Sequence, residues 1–397
     1  MNILSILDKL ILFCSRKLKI IFTNLSKFSL QLLLLLIYSL SPDMIFKKIF
    51  SPVVSIIKLV IIFFLISDIS YSQESYNKFF INEKGIVSIM YHRFNESKYP
   101  STNIQMDIFK KHINIIKSSG YDFVNPKVLS EIFFKEKLEK KILLTIDDGY
   151  RSFYEHAWPF LKENKIPYII FISTEAVGKK GYMNWNEIKE IEEYDFVTIG
   201  NHSHSHDYLV NYSFDSFQKD IKNSIKIFEA NIGYNPTFFS YPFGEWDKNQ
   251  KEFISSIFEF AFGQHSGVID LNKDRYELPR FPINEKYGDL DRFKFIVELL
   301  PFQYKKIYPD EKMIVDNNPP KMKVEFFKDQ NISNMNCFSN EGDGWNKSKF
   351  IIEDNVLKIN FRDKFYTRRG RINCSIQDDE GWRWFGTQFV LKNIKEN

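Results

Sequence analysis

One stretch constrains the fold of this chain more than any other: the apolar and β-branched run 142–146, ended by Asp147-Asp148-Gly149. A short apolar run that ends in a turn signal is typical of a buried strand. Two adjacent carboxylates then lie where the strand ends, and adjacent like charges are unfavourable unless something positive neutralises them. A bound cation would do so. A solvated Asp-Asp-Gly turn is the alternative that this stretch alone leaves open.

A second stretch of the sequence favours the interpretation that the aspartates belong to a cation-binding site. Three of the seven histidines, His202, His204 and His206, fall within five residues, directly after the strand-like run 196–199. Imidazole is the commonest metal ligand in proteins, and one carboxylate with two imidazoles makes an open-sided site for a divalent ion. Three protein ligands leave a position for water, as a hydrolase requires. An Asp-Asp-Gly and a His-x-x-x-His at two strand ends therefore indicate a metal-dependent hydrolase.

These motifs resemble those of the polysaccharide deacetylases, and the resemblance extends over about residues 86–283. Thr145–Gly149 is similar to the first motif of the family and His202–His206 to its second. The resemblance implies that Asp147 is the general base. It also implies that Asp148, His202 and His206 hold a divalent metal, with Zn²⁺ the first candidate. His204 lies between the ligands and is a weak candidate for a metal contact.

The third family motif, Arg-x-Pro-x-Gly, is altered here to Ser240-Tyr241-Pro242-Phe243-Gly244. The family arginine pairs with the base aspartate, and its replacement by Ser240 resembles the exopolysaccharide poly-N-acetylglucosamine deacetylases. Tyr241, Pro242, Phe243 and Gly244 are the implied substrate-binding residues. We hypothesise that Arg280 supplies the missing charge, because a base without a cationic neighbour would lose its lowered pKa. A surface or structural role for Arg280 is the alternative.

A general acid must protonate the leaving amine. The resemblance points to a histidine late in the barrel, and His265 is at the expected place in chain order, although a loop histidine without a catalytic part would look the same. Trp185 resembles a tryptophan that lines the substrate groove, with a core position as the alternative. His92 ends the first strand, where a structural role is favoured over a cleft position. His112 and His156 fall within predicted helices and are expected to be scaffold.

Strand-like and helix-like segments alternate from Gly85 onwards, which predicts a parallel sheet or a barrel. The family resemblance narrows this α/β prediction to a distorted, incomplete (β/α) barrel over residues 73–303. The site of such a barrel lies at the carboxyl ends of its strands, where both motifs fall. The predicted strands are 86–91, 121–124, 142–146, 167–173, 196–200, 237–241 and 259–263. The predicted helices are 105–118, 151–164, 185–193, 214–231, 247–258 and 287–299.

The segments on either side of the predicted barrel differ in composition. Residues 1–72 are predicted to be a hydrophobic leader, because Lys47-Lys48 precede the apolar run 53–66 and small residues follow. An uncleaved membrane anchor is the alternative, and either implies export to the periplasm, the cell surface or the medium. Residues 304–320 are predicted to be a linker and 321–397 a small all-β sandwich.

The β sandwich carries Cys337 and Cys374, for which a disulfide and two buried thiols are both open. Its aromatic residues allow a carbohydrate-binding face, although core packing in so small a domain is slightly favoured. The aromatic residues in question are Trp345, Trp382, Trp384 and Phe385.

The formal net charge of +4 arises in residues 1–72, and the charges of the remainder nearly balance. Nucleic-acid binding is therefore not expected. The expected partner is a polysaccharide, with possible membrane association through the leader. The function predicted is removal of acetyl groups from an N-acetylated glycan. A catalytically silent glycan-binding protein and an O-acetyl esterase are the alternatives.

Overall fold

A computed structural model describes residues 84–135, 138–327, 330 and 332–392. The predicted leader 1–72 lies outside these residues. The seven α-helices within them are α1 Met106–Ser118, α2 Leu129–Ile132, α3 Trp158–Asn164, α4 Trp185–Glu192, α5 Phe214–Ile232, α6 Lys248–Ser255 and α7 Leu290–Glu298. A π-helical turn, Phe153–Ala157, precedes α3. All six predicted helices are present close to their predicted bounds.

The strands divide between a barrel and a C-terminal region. Those of the barrel and its edges are β1 Ile86–Tyr91, β2 Arg93–Phe94, β3 Asn103–Ile104, β4 Asp122–Phe123, β5 Lys141–Ile146, β6 Tyr168–Ile172, β7 Val197–Asn201, β8 Phe238–Ser240, β9 Phe260–Phe262, β10 Val268–Ile269 and β11 Phe281–Pro282. The C-terminal strands are β12 Leu300–Pro301, β13 Lys306–Tyr308, β14 Met313–Ile314, β15 Lys323–Glu325, β16 Asn336–Asn340, β17 Asn346–Lys347, β18 Lys349–Glu353, β19 Val356–Asn360, β20 Arg369–Asp378 and β21 Gly381–Leu391.

Parallel pairing orders the central strands β1-β5-β6-β7-β8-β9. The segment 278–282 then returns to the start of the sheet: Leu278 bridges Phe262 in β9, and Phe281 pairs with Ile89 in β1. The last link of the ring is thus a single bridge and a two-residue strand. The predicted distorted, incomplete (β/α) barrel is confirmed, and the carboxyl ends of its strands, called the rim below, carry both motifs.

Apolar side chains fill both sides of the sheet. Alternate residues of the strands point to opposite faces, and both faces are buried, as expected for a parallel sheet covered by helices. The helices bury one face each. In α5, for example, Phe217, Ile221 and Phe228 are buried, and Ser213 caps the helix by accepting a hydrogen bond from the backbone N–H of Ser216. This scaffold holds the strand ends in fixed positions.

The C-terminal β region, residues 300–391, consists of two sheets that share one core. One sheet has the order β12-β21-β20-β16-β17 and the other the order β13-β15-β19-β18. Cys337 and Cys374 face each other across β16 and β20 and form a disulfide. The strand-rich C-terminal region agrees with the predicted small β sandwich.

Residues 304–320, predicted to be a linker, contain β13 and β14, which pair with β15 and β21. The barrel and the β region belong to one compact unit, Ser75–Asn397. The boundaries proposed for separate domains stay a prediction. Within the described residues, no helix combines the length and the apolar character that crossing a membrane requires.

Most aromatic residues considered for a carbohydrate-binding face serve packing. Phe385 is 1% exposed in the core of the β region. Trp382 and Trp384 pack on the barrel core, where both rings contact Phe295 of α7. Trp345 is 42% exposed. Packing therefore explains three of the four aromatic residues, and only Trp345 is left for a carbohydrate-binding face.

Candidate active site

The turn after β5 presents both aspartates of the first motif at the rim. Asp148 and Gly149 adopt left-handed backbone angles, with φ of 73° and 70°. A Cβ atom on Gly149 would approach Ile172 Cδ1 to 2.7 Å, so this position requires glycine for space as well as for conformation. Asp147 is completely buried, and Asp148 is 7% exposed. The turn thus buries both carboxylates at the end of β5.

The turn after β7 presents the histidines, and α5 holds its shape. Asp220 of α5 accepts hydrogen bonds from the backbone N–H groups of His204 (2.8 Å) and Ser205 (3.0 Å). Ser203 and His206 have positive φ values of 68° and 55°. Non-glycine residues in this conformation are strained and persist where the surroundings fix them, which is typical of functional sites.

Asp148, His202 and His206 converge on one point. Asp148 Oδ1 lies 3.3 Å from His202 Nε2 and 3.0 Å from His206 Nε2, and one ligand atom of each residue lies within 4.8 Å of the others. His202 Nδ1 donates a hydrogen bond to the carbonyl oxygen of Ser240 at 2.7 Å, which directs the lone pair of Nε2 towards the same point. The structure thus brings the three predicted ligands together.

Two observations show that this group suits a cation. Asp148 Oδ1 and His202 Nε2 are buried and lack a hydrogen-bond partner, and such orphaned atoms are costly unless a ligand satisfies them. Burial would raise the pKa of Asp148, but His206 and His202 outweigh it and hold that pKa well below its usual range. One carboxylate and two imidazoles form a donor set found in divalent metal sites.

Asp147 forms a separate, two-pronged ion pair. Arg280 donates from Nη1 to Asp147 Oδ1 (2.6 Å) and from Nη2 to Oδ2 (2.9 Å), so the contact hypothesised from sequence is present. Arg280 also donates to Ser240 Oγ (2.8 Å) and to the Gly263 carbonyl (2.9 Å). Burial would raise the pKa of Asp147, but the guanidinium, with smaller effects of His202 and His92, outweighs burial and lowers it.

The third motif forms a tight loop, and only Phe243 of its predicted substrate-binding residues is partly exposed. Tyr241, Pro242 and Gly244 are buried, and a Cβ on Gly244 would come within 2.5 Å of the Gln264 backbone nitrogen. Phe243 has φ +60°, and its ring packs against His206 with centroids 4.9 Å apart. The other three residues therefore shape the loop that presents Phe243.

His265, the predicted general acid, and His92 have different surroundings. Burial lowers the pKa of His265 to about 3, assisted mainly by Lys312, Lys273 and Lys251. Ser266, which follows His265, contacts the β region through Asn373 and Trp384. The charges that act on His92 are instead those of Asp148, Asp147, Arg280 and His202, although burial dominates and lowers its pKa.

The sequence favours a structural role for His92 and does not single out Tyr150, yet both residues lie beside the aspartates. His92 follows β1, which pairs with β5 along its whole length, so it emerges beside Asp147. Tyr150 follows Gly149, and its ring lies 3.4 Å from the Arg93 guanidinium and 4.9 Å from the ring of Tyr182. Burial and the carboxylate of Asp148 raise the pKa of Tyr150. The adjacency of β1 and β5 is the signal that could have identified His92.

The remaining candidates have contacts away from the triad. Trp185 is half-buried and meets Phe228 of α5 edge-on, at 5.8 Å between centroids. His204 Nδ1 contacts Thr174 Oγ1 at 2.9 Å. His112 is buried, and its Nε2 contacts the Gly288 carbonyl at 2.8 Å. His156 lies on the π-helical turn and is exposed.

Comparisons with known proteins show which family this chain is similar to. Residues 134–257 match the family model for polysaccharide deacetylases. YxkH of Bacillus subtilis is 27% identical over 199 residues, which are 49% of this chain and 70% of the relative. A poly-beta-1,6-N-acetyl-D-glucosamine N-deacetylase of Staphylococcus aureus (strain MSSA476) is 22% identical over 256 residues, with coverage of 57% and 86%.

Among solved structures, IcaB from Ammonifex degensii has a TM-score of 0.48 and 24% sequence identity, with 54% of this chain and 97% of that chain covered. N-deacetylases are hydrolases of C–N bonds, so the family match confirms the predicted enzyme class. Residues 134–257 of the chain thus match the polysaccharide deacetylase family.

Proposed function

We propose that this protein is an exported, metal-dependent deacetylase of an N-acetylated polysaccharide. One observation carries the proposal. A buried carboxylate, Asp147, is clamped by Arg280 beside three convergent ligand atoms from Asp148, His202 and His206. A site that only bound a glycan would have no need of the separate acid–base group.

Asp148, His202 and His206 would hold the ion, for which Zn²⁺ is the first candidate because of the mixed nitrogen and oxygen donors. When bound, such an ion polarises the acetyl carbonyl and acidifies a water molecule. The Ser240 carbonyl keeps His202 in the tautomer that offers Nε2 as a ligand. Mutation of these ligands would remove the ion, whereas the two hydrogen bonds between Arg280 and Asp147 do not involve them.

Asp147 serves as the general base that accepts a proton from the attacking water. Arg280 orients both carboxylate oxygens and keeps the group ionised towards lower pH, because it lowers the pKa of Asp147. The resulting reaction breaks the C–N bond of the acetamide, releases acetate and leaves an amine on the sugar.

The leaving amine must gain a proton, and we assign its donor to His92 rather than to His265. His92 emerges beside Asp147, and the charges of both aspartates act on it. The charges that act on His265 are instead positive ones, those of three lysines and Arg280. His265 stays the prediction made from chain order, since its flanking residues do not match the family's Leu-x-His motif closely. Alanine variants of the two residues distinguish these assignments.

The substrate class rests on the relatives and on the partly exposed side chain of Phe243 beside the triad. The Staphylococcus aureus relative is named for poly-beta-1,6-N-acetyl-D-glucosamine, so a polymer of N-acetylglucosamine is the first substrate to test. The partly exposed ring of Phe243, next to His206, offers an apolar wall for the C–H face of a sugar. An O-acetyl esterase activity on the same site is the second candidate, because the same groups can attack an ester.

Export is supported by the leader pattern of residues 1–72 and by the Cys337–Cys374 disulfide, since disulfides persist in oxidising compartments. The leader could also anchor the protein to a membrane. Cell fractionation with an antibody against the β region would distinguish secreted, surface-bound and anchored protein.

The deciding experiment measures acetate release from N-acetylglucosamine oligomers by the purified protein. We expect release that a chelator abolishes and that added Zn²⁺ restores, and Asp147→Asn as the control should be inactive with the metal still bound. Release that is insensitive to chelation would refute the metal dependence. Binding of the oligomers without release would instead support a silent glycan-binding protein.

A further inference from the structure

The β region holds the third-motif loop through two side chains. Gln388 of β21 donates from Nε2 to the carbonyl oxygens of Phe243 (3.2 Å) and Gly244 (3.1 Å). Arg368, directly before β20, donates from Nε and Nη2 to the carboxylate of Glu245, with distances of 2.6–3.0 Å. Arg368 is 1% exposed and Glu245 3% exposed, so this is a buried ion pair. Three consecutive residues of the loop are therefore fixed from the β region.

A row of stacked groups continues from this ion pair to the proposed metal site. The Arg368 guanidinium lies 3.8 Å from the centroid of the Tyr208 ring. Tyr208 stacks on Phe243 at 4.4 Å between centroids, and Phe243 meets His206 edge-on at 4.9 Å. His206 is one of the three convergent ligand residues. The β region thus contacts a ligand of the site through two aromatic rings.

The conformation of Phe243 explains why such support is needed. Its φ of +60° belongs to the left-handed region, which is strained for a residue other than glycine. The two hydrogen bonds from Gln388 oppose relaxation of this backbone, and Tyr208 with Arg368 fixes its ring. Without these contacts, Phe243 would move and His206 would lose a packing partner.

We propose that Arg368 and Gln388 are positioning residues for deacetylation, and that the β region is part of the catalytic unit. They act through Phe243 and Tyr208 on His206 and on the wall that faces the sugar. The inference rests on the proposed function, because it assigns these residues a part in the same reaction.

The test uses Arg368→Met and Gln388→Leu in the full chain, with Arg362→Met as the matched control. Arg362 also pairs with a buried carboxylate, that of Glu341 at 2.8 Å, and with Asp343, but these partners lie within the β region. Three quantities are measured for each variant: kcat and KM for acetate release, affinity for Co²⁺ by equilibrium dialysis, and melting temperature.

We expect Arg368→Met to lower kcat/KM and Co²⁺ affinity about tenfold, which is typical for loss of a group that orients a metal ligand. Arg368→Lys, which restores the charge without the planar fork, should recover part of both. Arg362→Met should lower the melting temperature but leave kcat/KM and Co²⁺ affinity unchanged. Gln388→Leu should act in the same direction as Arg368→Met.

Equal activity and equal Co²⁺ affinity of Arg368→Met and Arg362→Met would overturn the proposal. If Arg368→Met does not fold, Gln388→Leu decides in its place. It removes the two hydrogen bonds to the loop and the one that Gln388 Oε1 accepts from Arg371 Nε (2.9 Å), but no buried charge. A wild-type protein that releases no acetate would refute the proposed function. The Co²⁺ affinities would still decide whether the β region positions His206.

Discussion

The rim of the barrel and its junction with the β region are built from the same parts. Each holds a buried arginine–carboxylate pair with forked hydrogen bonds: Arg280 with Asp147 at the rim and Arg368 with Glu245 at the junction. Each also has a histidine whose pKa is lowered by burial, His92 at the rim and His265 near the junction.

The difference lies in what surrounds the pairs. At the rim, Asp148 Oδ1 and His202 Nε2 are buried without hydrogen-bond partners and point to a common centre. At the junction, Arg368 occupies both carboxylate oxygens of Glu245, and its guanidinium rests on an aromatic ring. A buried ion pair alone therefore does not mark an active site. Buried polar atoms that lack hydrogen-bond partners and point to a common centre do mark one.

The largest expected difference between the regions concerns their carboxylates. Asp147→Asn should lower acetate release about 10³-fold, because general-base catalysis is removed. Glu245→Gln should lower it only about tenfold, through the loop. Both should lower the free energy of unfolding by about 3 kcal/mol, because each leaves a buried guanidinium without its full partner. Steady-state kinetics and urea unfolding of the two variants check this. Similar activity losses in both would contradict the distinction between a catalytic carboxylate at the rim and a positioning carboxylate at the junction.

The histidines provide the second comparison. His92→Ala should lower kcat about 10²-fold if His92 protonates the leaving amine, and His265→Ala should have a smaller effect. Substrates with a better leaving group, such as aryl acetamides, should narrow the deficit of His92→Ala because they need less help from an acid. A His265→Ala protein with the larger loss would return the role to His265.

The arginine of the rim should control the pH dependence. Arg280 lowers the pKa of Asp147, and only the ionised carboxylate acts as a base. In Arg280→Met the acidic limb of the kcat/KM profile should therefore move to higher pH, by about one unit or more. Arg362→Met is the control, since Arg362 pairs with Glu341 and Asp343 within the β region. An unmoved limb in Arg280→Met would show that another group sets it.

A buried histidine outside both regions gives the smallest effect, on stability alone. Burial lowers the pKa of His112 to about 4, while its ring stacks on Phe293 at 3.8 Å between centroids. The unfolded chain binds the proton more readily between pH 4 and 6.5, so the free energy of unfolding should decrease as the pH is lowered through this window, by at most about 1.4 kcal/mol per unit. Urea unfolding of His112→Gln should show a flatter dependence, and equal slopes would contradict this.

The sequence predicted the barrel elements and the triad well because strong periodicity and rigid strand ends determine them. Arg280 was also identified, since Asp147 needed a positive neighbour. The position of His92 was harder to foresee, because it depends on β1 lying beside β5. The strands in 304–320 are only two or three residues long, below the length at which a pattern is visible. The packing of Trp382 and Trp384 depends on contacts with α7 that periodicity does not encode.

The bridge that completes the ring of strands also bears on how such chains are classified. Arg280 comes from the segment 278–282, about forty positions after the motif where the family keeps its arginine, yet it donates to the hydroxyl of Ser240, which stands in that position. A survey that scores motifs one by one would discard this chain as a dead homologue. Active and inactive members are better separated by asking whether any cation reaches the base in space, wherever along the chain it originates.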